Sequence, residues 1–287
     1  MPTSAYVERQ TPTIRAASPI VKWVGGKGRI LPQLTPLLPP GVERLRHVEP
    51  FAGGAALFFA RQPKRALLSD VNPDLVNTYT CVRDDVDGVI RSLSRLAQKG
   101  FTEETYYRVR TLYNAKGKAG RNDRAAMFLF LNKTCFNGLH RVNRRGEFNV
   151  PMGRYTNPRI LDEAGLRAAS DALANADIRC GGFDDLLETA KPGDFVYLDP
   201  PYAPVSATSN FTSYATDGFS HEDQTRLRDV YRELDRRGCR LMLSNSDVPA
   251  IRDLYKQFSI RTVMAPRAIN SDAAKRKAVA EVVVRNY

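Results

Sequence analysis

The sequence predicts an α/β fold: a Rossmann-like, mostly parallel sheet whose last strand is reversed, interrupted by an inserted helical unit carrying a β-hairpin. Three observations predict it. A strand, a glycine turn and a helix follow one another across His47–Arg61, the first unit of such a sheet. A short apolar strand, Phe195-Val196-Tyr197-Leu198, stops at Asp199-Pro200-Pro201-Tyr202. The chain closes on two strands, Ser259–Val263 and Ala278–Arg285, with no helix between them. At 287 residues the chain is long enough for one large domain, or for a domain carrying an inserted one.

Composition narrows the class. A hydrophobic fraction of 43% is ordinary for a globular protein, and no stretch is long and apolar enough to cross a bilayer. Residues 1–18 mix Pro, Thr, Ser and charge without an apolar h-region, so they read as a loose tail and not as a secretory signal. Cys81, Cys135, Cys180 and Cys239 lie far apart, with no Cys-x-x-Cys and no nearby histidine pair. Neither a disulfide framework nor a metal site is suggested, and a reducing, cytoplasmic setting is expected. The net charge is +12, and residues 87–170 alone hold 16 Lys/Arg against 7 Asp/Glu. A solvated basic surface is one reading; concentrating the excess in under a third of the chain favours a polyanionic partner.

Along the chain, Lys22-Trp23-Val24-Gly25-Gly26-Lys27 comes first. Its glycines let backbone approach a ligand, and its lysines could neutralise an anion. It is no Walker A loop, because Gly28 follows Lys27. A glycine turn before a helix Gly28–Leu34, with Trp23 in the core, remains open. His47-Val48-Glu49-Pro50-Phe51 then reads as a strand running into Ala52-Gly53-Gly54 and the helix Ala55–Arg61. The next strand, Arg65–Asp70, ends in an acid about twenty residues after that turn, where a carboxylate can bind ribose hydroxyls. A glycine turn and a ribose acid without a phosphate cradle describe a nucleoside ligand such as S-adenosylmethionine. Asn72-Pro73-Asp74 could equally cap the following helix, Asp74–Val82.

Helical periodicity marks 85–98, 103–115 and 121–133 within the basic segment. Leu139–Asn143 and Glu147–Val150 then read as two short strands around Arg144-Arg145-Gly146, a hairpin of the size that enters a DNA major groove. Arg141 could bond guanine and Asn143 a base edge or phosphate; a solvated basic hairpin is the alternative. A helix Ile160–Asn175, a strand Asp177–Cys180 and the loop Gly181–Asp185 lead back to the sheet. Asp199-Pro200-Pro201-Tyr202 follows. Its prolines end the strand and fix the backbone. Asp199 and the Pro200 carbonyl could accept both N–H hydrogens of an amino group on a planar ring while Tyr202 stacks on its face; a proline turn capped by Asp199 is the alternative. The polar loop 203–218, with Phe211 and Tyr214, is expected to order around bound DNA. A helix His221–Arg237, a strand Arg240–Asn245 and a helix Val248–Gln257 precede the closing strands, whose connector (Arg267–Ser271, Lys275-Arg276-Lys277) could track phosphates.

Lys22-Trp23-Val24-Gly25-Gly26-Lys27, Glu49-Pro50-Phe51-Ala52-Gly53-Gly54, Ser69-Asp70-Val71-Asn72 and Asp199-Pro200-Pro201-Tyr202 occur in this order. Together they resemble the Dam-type adenine-specific DNA methyltransferases, the alpha group of amino-methyltransferases, from about Ile20 to Tyr287. The resemblance implies an S-adenosylmethionine-dependent methyltransferase sheet in 19–86 and 171–287, and a target-recognition domain in 87–170. It implies double-stranded DNA as substrate, N6 of a flipped-out adenine as acceptor, and no metal. Asp199, Pro200, Pro201 and Tyr202 would form the catalytic stretch. Trp23, Lys27, Phe51, Gly53, Asp70 and Asp199 would form the donor site, with Phe183 or Asp184 facing the donor's adenine; a core Phe183 and a helix-capping Asp184 are equally open. Phe136, Asn137, Leu139, Arg141, Asn143 and Pro151 would contact DNA within GATC. Phe136 stands where relatives often have tyrosine, so its ring can still wedge between bases but has no hydroxyl to form a hydrogen bond. A monomer at the nucleoid is the expected form. Alternatives are a cytosine amino-methyltransferase, which more often carries Ser at the position of Asp199, an RNA or protein methyltransferase, and a non-enzymatic DNA-binding module.

Overall fold

Seven strands form one sheet in the computed structural model, which describes residues 16–115, 117, 119–204, 219–266 and 278–287. The expectations for the tail up to residue 15, for Phe211 and Tyr214 in the loop, and for the connector 267–277 lie outside the described residues. The strands are β1 (His47–Glu49), β2 (Ala66–Asp70), β3 (Ala176–Cys180), β4 (Phe195–Leu198), β5 (Arg240–Ser246), β6 (Ser259–Ala265) and β7 (Val279–Arg285). Their spatial order is β3-β2-β1-β4-β5-β7-β6. The first five run parallel, and β7 pairs antiparallel with both β5 and β6. The last strand is therefore reversed, and it lies between β5 and β6.

Period-two alternation sorts the strand side chains between faces. Val196 and Leu198 of β4, Leu241 and Leu243 of β5, and Val282 and Val284 of β7 join one core. Helices α8 (Leu186–Thr189), α9 (His221–Arg236) and α10 (Pro249–Leu254) cover that face. Phe195, Tyr197, Met242 and Val283 point the other way, into a smaller core closed by Ile30, Leu34 and Leu57. Ile30 precedes α1 (Leu31–Leu34), and Leu57 lies on α2 (Ala56–Arg61). The helix expected over Gly28–Leu34 is a 3-10 turn, Lys27–Arg29, followed by the single turn of α1, which opens on Leu31 with Pro32 second. A proline ring and its missing N–H are tolerated only at a helix start, so the helix begins afresh there.

The basic segment is helical where expected: α4 (Val86–Ala97), α5 (Glu103–Asn114) and α6 (Arg121–Thr134). Asp85 and Thr102 cap the first two by accepting from the amides of Gly88 and Thr105. Helix α6 is buried on most sides, packing against α4, α5 and α3 (Pro73–Asp84). Its side chains share one continuous core with Leu68 of β2, Leu75 and Tyr79 of α3, and Leu166 and Ala169 of α7 (Glu163–Leu173). The segment is thus seated on the flank of the sheet. A charged anchor reinforces it, with the Arg124 guanidinium paired to Asp74 and the Tyr113 hydroxyl donating to the same carboxylate at 2.6 Å.

The two strands expected at Leu139–Asn143 and Glu147–Val150 do not form. A single bridge joins Val142 to Phe148 and another joins Cys135 to Met152. Between those bridges one side of the ribbon has six residues and the other three. The surplus is coiled into the 3-10 turn Phe136–Gly138, where Asn137 and Gly138 have φ of 54° and 65°. That change of register prevents a continuous ladder. The hairpin's tip is as expected a tight turn, with the Gly146 amide donating to the Asn143 carbonyl at 2.8 Å and the Asn143 amide to the Glu147 carbonyl at 2.9 Å. Helix α10 also stops earlier than the pattern suggests, at Leu254.

Candidate active site

The strand order of the sheet reverses between β1 and β4, which are parallel neighbours. The turn after β1 and the Asp-Pro-Pro-Tyr stretch after β4 therefore leave the sheet at the same edge, the crevice where open α/β sheets bind ligands. Asp199 is 21% exposed there, and the ammonium of Lys27, itself 5% exposed, lies 2.9 Å from its Oδ1. That ammonium also donates to the Gly25 carbonyl at 2.5 Å and sits 4.6 Å from the centroid of the Tyr202 ring. Burial pushes the Asp199 carboxyl up to about 6, and Glu281 and Glu49 add to the rise; Lys27 opposes it. The carboxylate form is thus favoured at neutral pH, and it is able to accept hydrogen bonds. The Tyr202 hydroxyl donates to Glu281 Oε2 at 2.7 Å, and burial keeps that phenol protonated.

Three side chains not singled out in the sequence hold this stretch from behind. Gln224 of α9 donates to the Pro201 carbonyl at 3.0 Å, and its own oxygen accepts from Asn245 at 3.1 Å. Asn245 Oδ1 accepts from the Ala203 amide at 3.1 Å, and Ser246 Oγ donates to the Ala203 carbonyl at 2.7 Å. All three are buried. For Asn245 and Ser246 the signal in the sequence is the polar ending of an apolar strand, Leu243-Ser244-Asn245-Ser246, since buried polar groups are there to be hydrogen-bonded; Gln224, on α9, has no such signal.

On the β1 and β2 side, Asp70 accepts from the Gly53 amide and the Asn72 amide, each at 2.9 Å. Burial raises its pKa against those two bonds. Gly53 has φ of 46°, and a Cβ there would lie 2.6 Å from Cδ1 of Trp23, so glycine is required twice over. The Tyr79 hydroxyl donates to the Gly53 carbonyl at 2.7 Å. Asn72 caps α3, accepting from the amides of Asp74 and Leu75. Beneath the turn, Glu49 and His47 are 2.6 Å apart and Arg61 reaches the other ring nitrogen at 2.5 Å. A guanidinium can only donate, so His47 Nδ1 accepts and Nε2–H donates to Glu49. Burial lowers the His47 pKa, in keeping with this neutral tautomer.

Phe51 stacks on Phe183 with centroids 5.7 Å apart, and Phe219 closes the cluster at 5.9 and 5.7 Å. Phe183 is 5% exposed and belongs to the core, while the exposed Asp184 pairs with Arg226 at 3.3 Å and is no helix cap. Trp23 is half-buried. It stacks on His140, not on a residue of the Asp-Pro-Pro-Tyr stretch.

The six side chains expected to meet DNA line the ribbon 136–151. Phe136 is 46% exposed at its base, and Asn137, Arg141 and Pro151 are also exposed. Arg141 Nε donates to Asn149 Oδ1 at 2.8 Å, which leaves its terminal guanidinium nitrogens directed by a bond within the ribbon. Asn143 is turned inward. Its oxygen accepts from the amides of Arg145 and Glu147, and its nitrogen donates to the Glu147 carboxylate at 2.8 Å. Leu139 is half-buried against the core. The described residues contain no cluster of three or more His, Cys, Asp or Glu placed to hold a metal, and no helix long and apolar enough to cross a membrane.

Comparison with known proteins bears on these features together. Residues 23–269 match the model of the D12 class N6 adenine-specific DNA methyltransferase family. The chain is 45% identical over 285 residues to the type II methyltransferase M.MjaIII of Methanocaldococcus jannaschii, covering 94% of this chain and 99% of that one. It is 41% identical over 278 residues to the type II methyltransferase M1.LlaDCHI of Lactococcus lactis subsp. cremoris, covering 94% and 95%. The DNA adenine methylase of Escherichia coli K12 is 37% identical over 264 residues, covering 92% and 93%.

Proposed function

Since the chain belongs to the D12 class of N6 adenine-specific DNA methyltransferases, we propose that it methylates N6 of adenine within GATC, using S-adenosylmethionine and a target base flipped out of the duplex. The family makes it an enzyme acting on adenine in DNA; the donor, the site and the mechanism are our reading. One observation carries it: a single N–H donor, the Lys27 ammonium, is held at once by the Asp199 carboxylate and the face of the Tyr202 ring. An aminopurine presents the same pair of features, an amino group beside a flat ring. Adenine inside a duplex cannot reach this crevice, so it must leave the stack.

The exocyclic nitrogen is a poor nucleophile because its lone pair is delocalised into the ring. Asp199 and the Pro200 carbonyl accept its two N–H hydrogens, which favours a tetrahedral nitrogen with its lone pair free. Tyr202 stacks on the base, its hydroxyl tied to Glu281 so that the ring keeps its plane. Gln224, Asn245 and Ser246 hold the acceptors in place before the base arrives, and such pre-organisation is where the rate gain comes from. No covalent intermediate with the protein is required.

The donor supplies an electrophilic methyl group on a sulfonium, and the chemistry of the crevice suits it. Asp70, at the carboxyl end of β2, offers its remaining lone pairs to ribose hydroxyls beside the Gly53 turn. Phe51 and Phe183 offer an aromatic wall to its adenine, while Lys27 and Asp199 suit its charged amino-acid end. We assign residues 87–170 to target recognition. Phe136 would wedge between bases, and Leu139, Arg141 and Pro151 would contact the site, with Asn137 and Asn143 shaping or joining that contact. We read the enzyme as a monomer working on the cytoplasmic nucleoid.

The test is restriction of plasmid DNA after incubation with the protein and S-adenosylmethionine. GATC methylation blocks one endonuclease and is required by another. Protection from the first and cutting by the second supports reaction, base and site together. Label entering DNA without either change would leave the chemistry and refute GATC.

A further inference from the structure

His140 lies between Leu139 and Arg141, two of the proposed base contacts, yet its ring turns into the protein. It stacks on Trp23 with centroids 5.7 Å apart and planes 18° from parallel. Phe128 and Phe148 flank it at 5.6 and 5.8 Å. Asn72 donates to its Nδ1 at 3.3 Å, and burial lowers its pKa, so the ring is neutral and the contact is one of shape and stacking.

Both of its partners lead to the donor side of the crevice. Trp23 lies against Gly53, where an added Cβ would come within 2.6 Å of its ring. Asn72 bonds through its amide to Asp70, whose other oxygen holds the Gly53 amide. A backbone latch runs alongside. Asn132 accepts from the Lys22 amide and donates to the Lys22 carbonyl, both at 2.8 Å, and also donates to the Gly138 carbonyl at 3.2 Å. A Cβ at Gly138 would meet Lys22 Cβ at 2.5 Å. The start of the ribbon is thus fastened to Lys22-Trp23, and the His140 ring joins the segment Leu139–Arg141 to Trp23 and Asn72.

We propose that His140 is a positioning residue that couples target recognition to donor binding, its ring transmitting the placement of the DNA-reading ribbon to the Trp23–Gly53–Asp70 turn. This rests on the functional reading above. Coupling between two binding sites is reciprocal: if cognate DNA tightens the donor, the donor tightens DNA by the same factor.

The experiment measures the dissociation constant of sinefungin, an unreactive donor analogue, with no DNA, with a GATC duplex and with a scrambled duplex, in the wild type, His140→Ala and His140→Phe. In the wild type the GATC duplex is expected to tighten sinefungin about fivefold or more. In His140→Ala the factor falls below about twofold, while sinefungin alone and DNA alone bind within about threefold of wild type. His140→Phe keeps a flat ring and restores most of the factor, a rescue that a loss of general stability would not show. If alanine unfolds the chain, His140→Gln keeps a polar side chain without the ring and is expected to lose the coupling too. Wild-type coupling in His140→Ala, or in His140→Gln, overturns the proposal while the functional reading stands. A wild type that methylates GATC without any coupling does the same. Failure of the wild type to bind sinefungin at all overturns both.

Discussion

Replacing Lys27 with methionine removes the cation that, among the described residues, pairs with Asp199, and keeps a side chain of similar length. Two unit charges 2.9 Å apart interact by about 1.4 kcal/mol at the dielectric of bulk water and about 6 kcal/mol at an effective dielectric of 20. Even the most screened limit is about one pKa unit. Asp199 titrates at about 6 with Lys27 in place, because burial raises it more than the ammonium lowers it. The sign follows: without Lys27 the carboxylate loses its stabilising partner, so its pKa rises further. The assay is the rate on a GATC duplex between pH 5 and 9 with both DNA and S-adenosylmethionine well below saturation, which reports the enzyme before either ligand binds. The wild-type rate is expected to fall as pH drops through about 6, as Asp199 protonates and can no longer accept both ways. In Lys27→Met the acid limb moves up by about one unit or more. A limb that stays in place, or moves down, refutes the electrostatic link between the two residues. The same linkage has a stability side: a carboxyl whose folded pKa is raised opposes folding once ionised, so its destabilising effect appears as pH rises from the ordinary carboxylate range through about 6 and is larger in the variant.

Asp199→Ala is expected to keep DNA binding and lose methylation by about a hundredfold or more, since the acceptor for the amino group is gone; gel shifts and label transfer separate the two properties, and near-normal turnover would end the assignment. Gln224→Ala removes the donor to the Pro201 carbonyl and leaves the buried Asn245 side-chain amide without its partner, a cost of about 1–3 kcal/mol in urea denaturation, with kcat falling and KM little changed. Arg141→Ala should weaken binding to GATC by about 1–3 kcal/mol and relax the preference at one base pair, read from competition with single-mismatch duplexes; a uniform loss across sequences would make it a phosphate contact.

The chain's elements are legible where one signal dominates. Val196-Tyr197-Leu198 alternates between faces and ends at two prolines, and the strand stops there. Helices α4 and α5 begin at side chains that cap them, Asp85 and Thr102. The ribbon departs from expectation because propensity is local and register is not. The residues of 139–143 and 147–150 suit strands, but the left-handed Asn137 and Gly138 take up three residues on one side and break the ladder. Phe183 and Asp184 divide in a way that no neighbour in sequence announces, one stacking on Phe51 and the other meeting Arg226.

By itself the sequence determined which chemical groups are available and in what order. It placed a carboxylate at the carboxyl end of two strands, a glycine pair in the turn after a third, and a surplus of positive charge in one segment. Local rules suffice for these, because each depends on a few consecutive residues. Tertiary structure decided which of those groups meet. Lys27 and Asp199 are far apart in the chain yet 2.9 Å apart in the crevice, and the pKa of Asp199 is a property of that meeting and of burial. Gln224, Asn245 and Ser246 became part of the site only when α9 and β5 packed behind Pro201 and Ala203. His140 meets Trp23 where Asn132 fastens the start of the ribbon to Lys22. Contacts between distant segments are set by burial and shape over the whole core, and no short stretch of sequence encodes them.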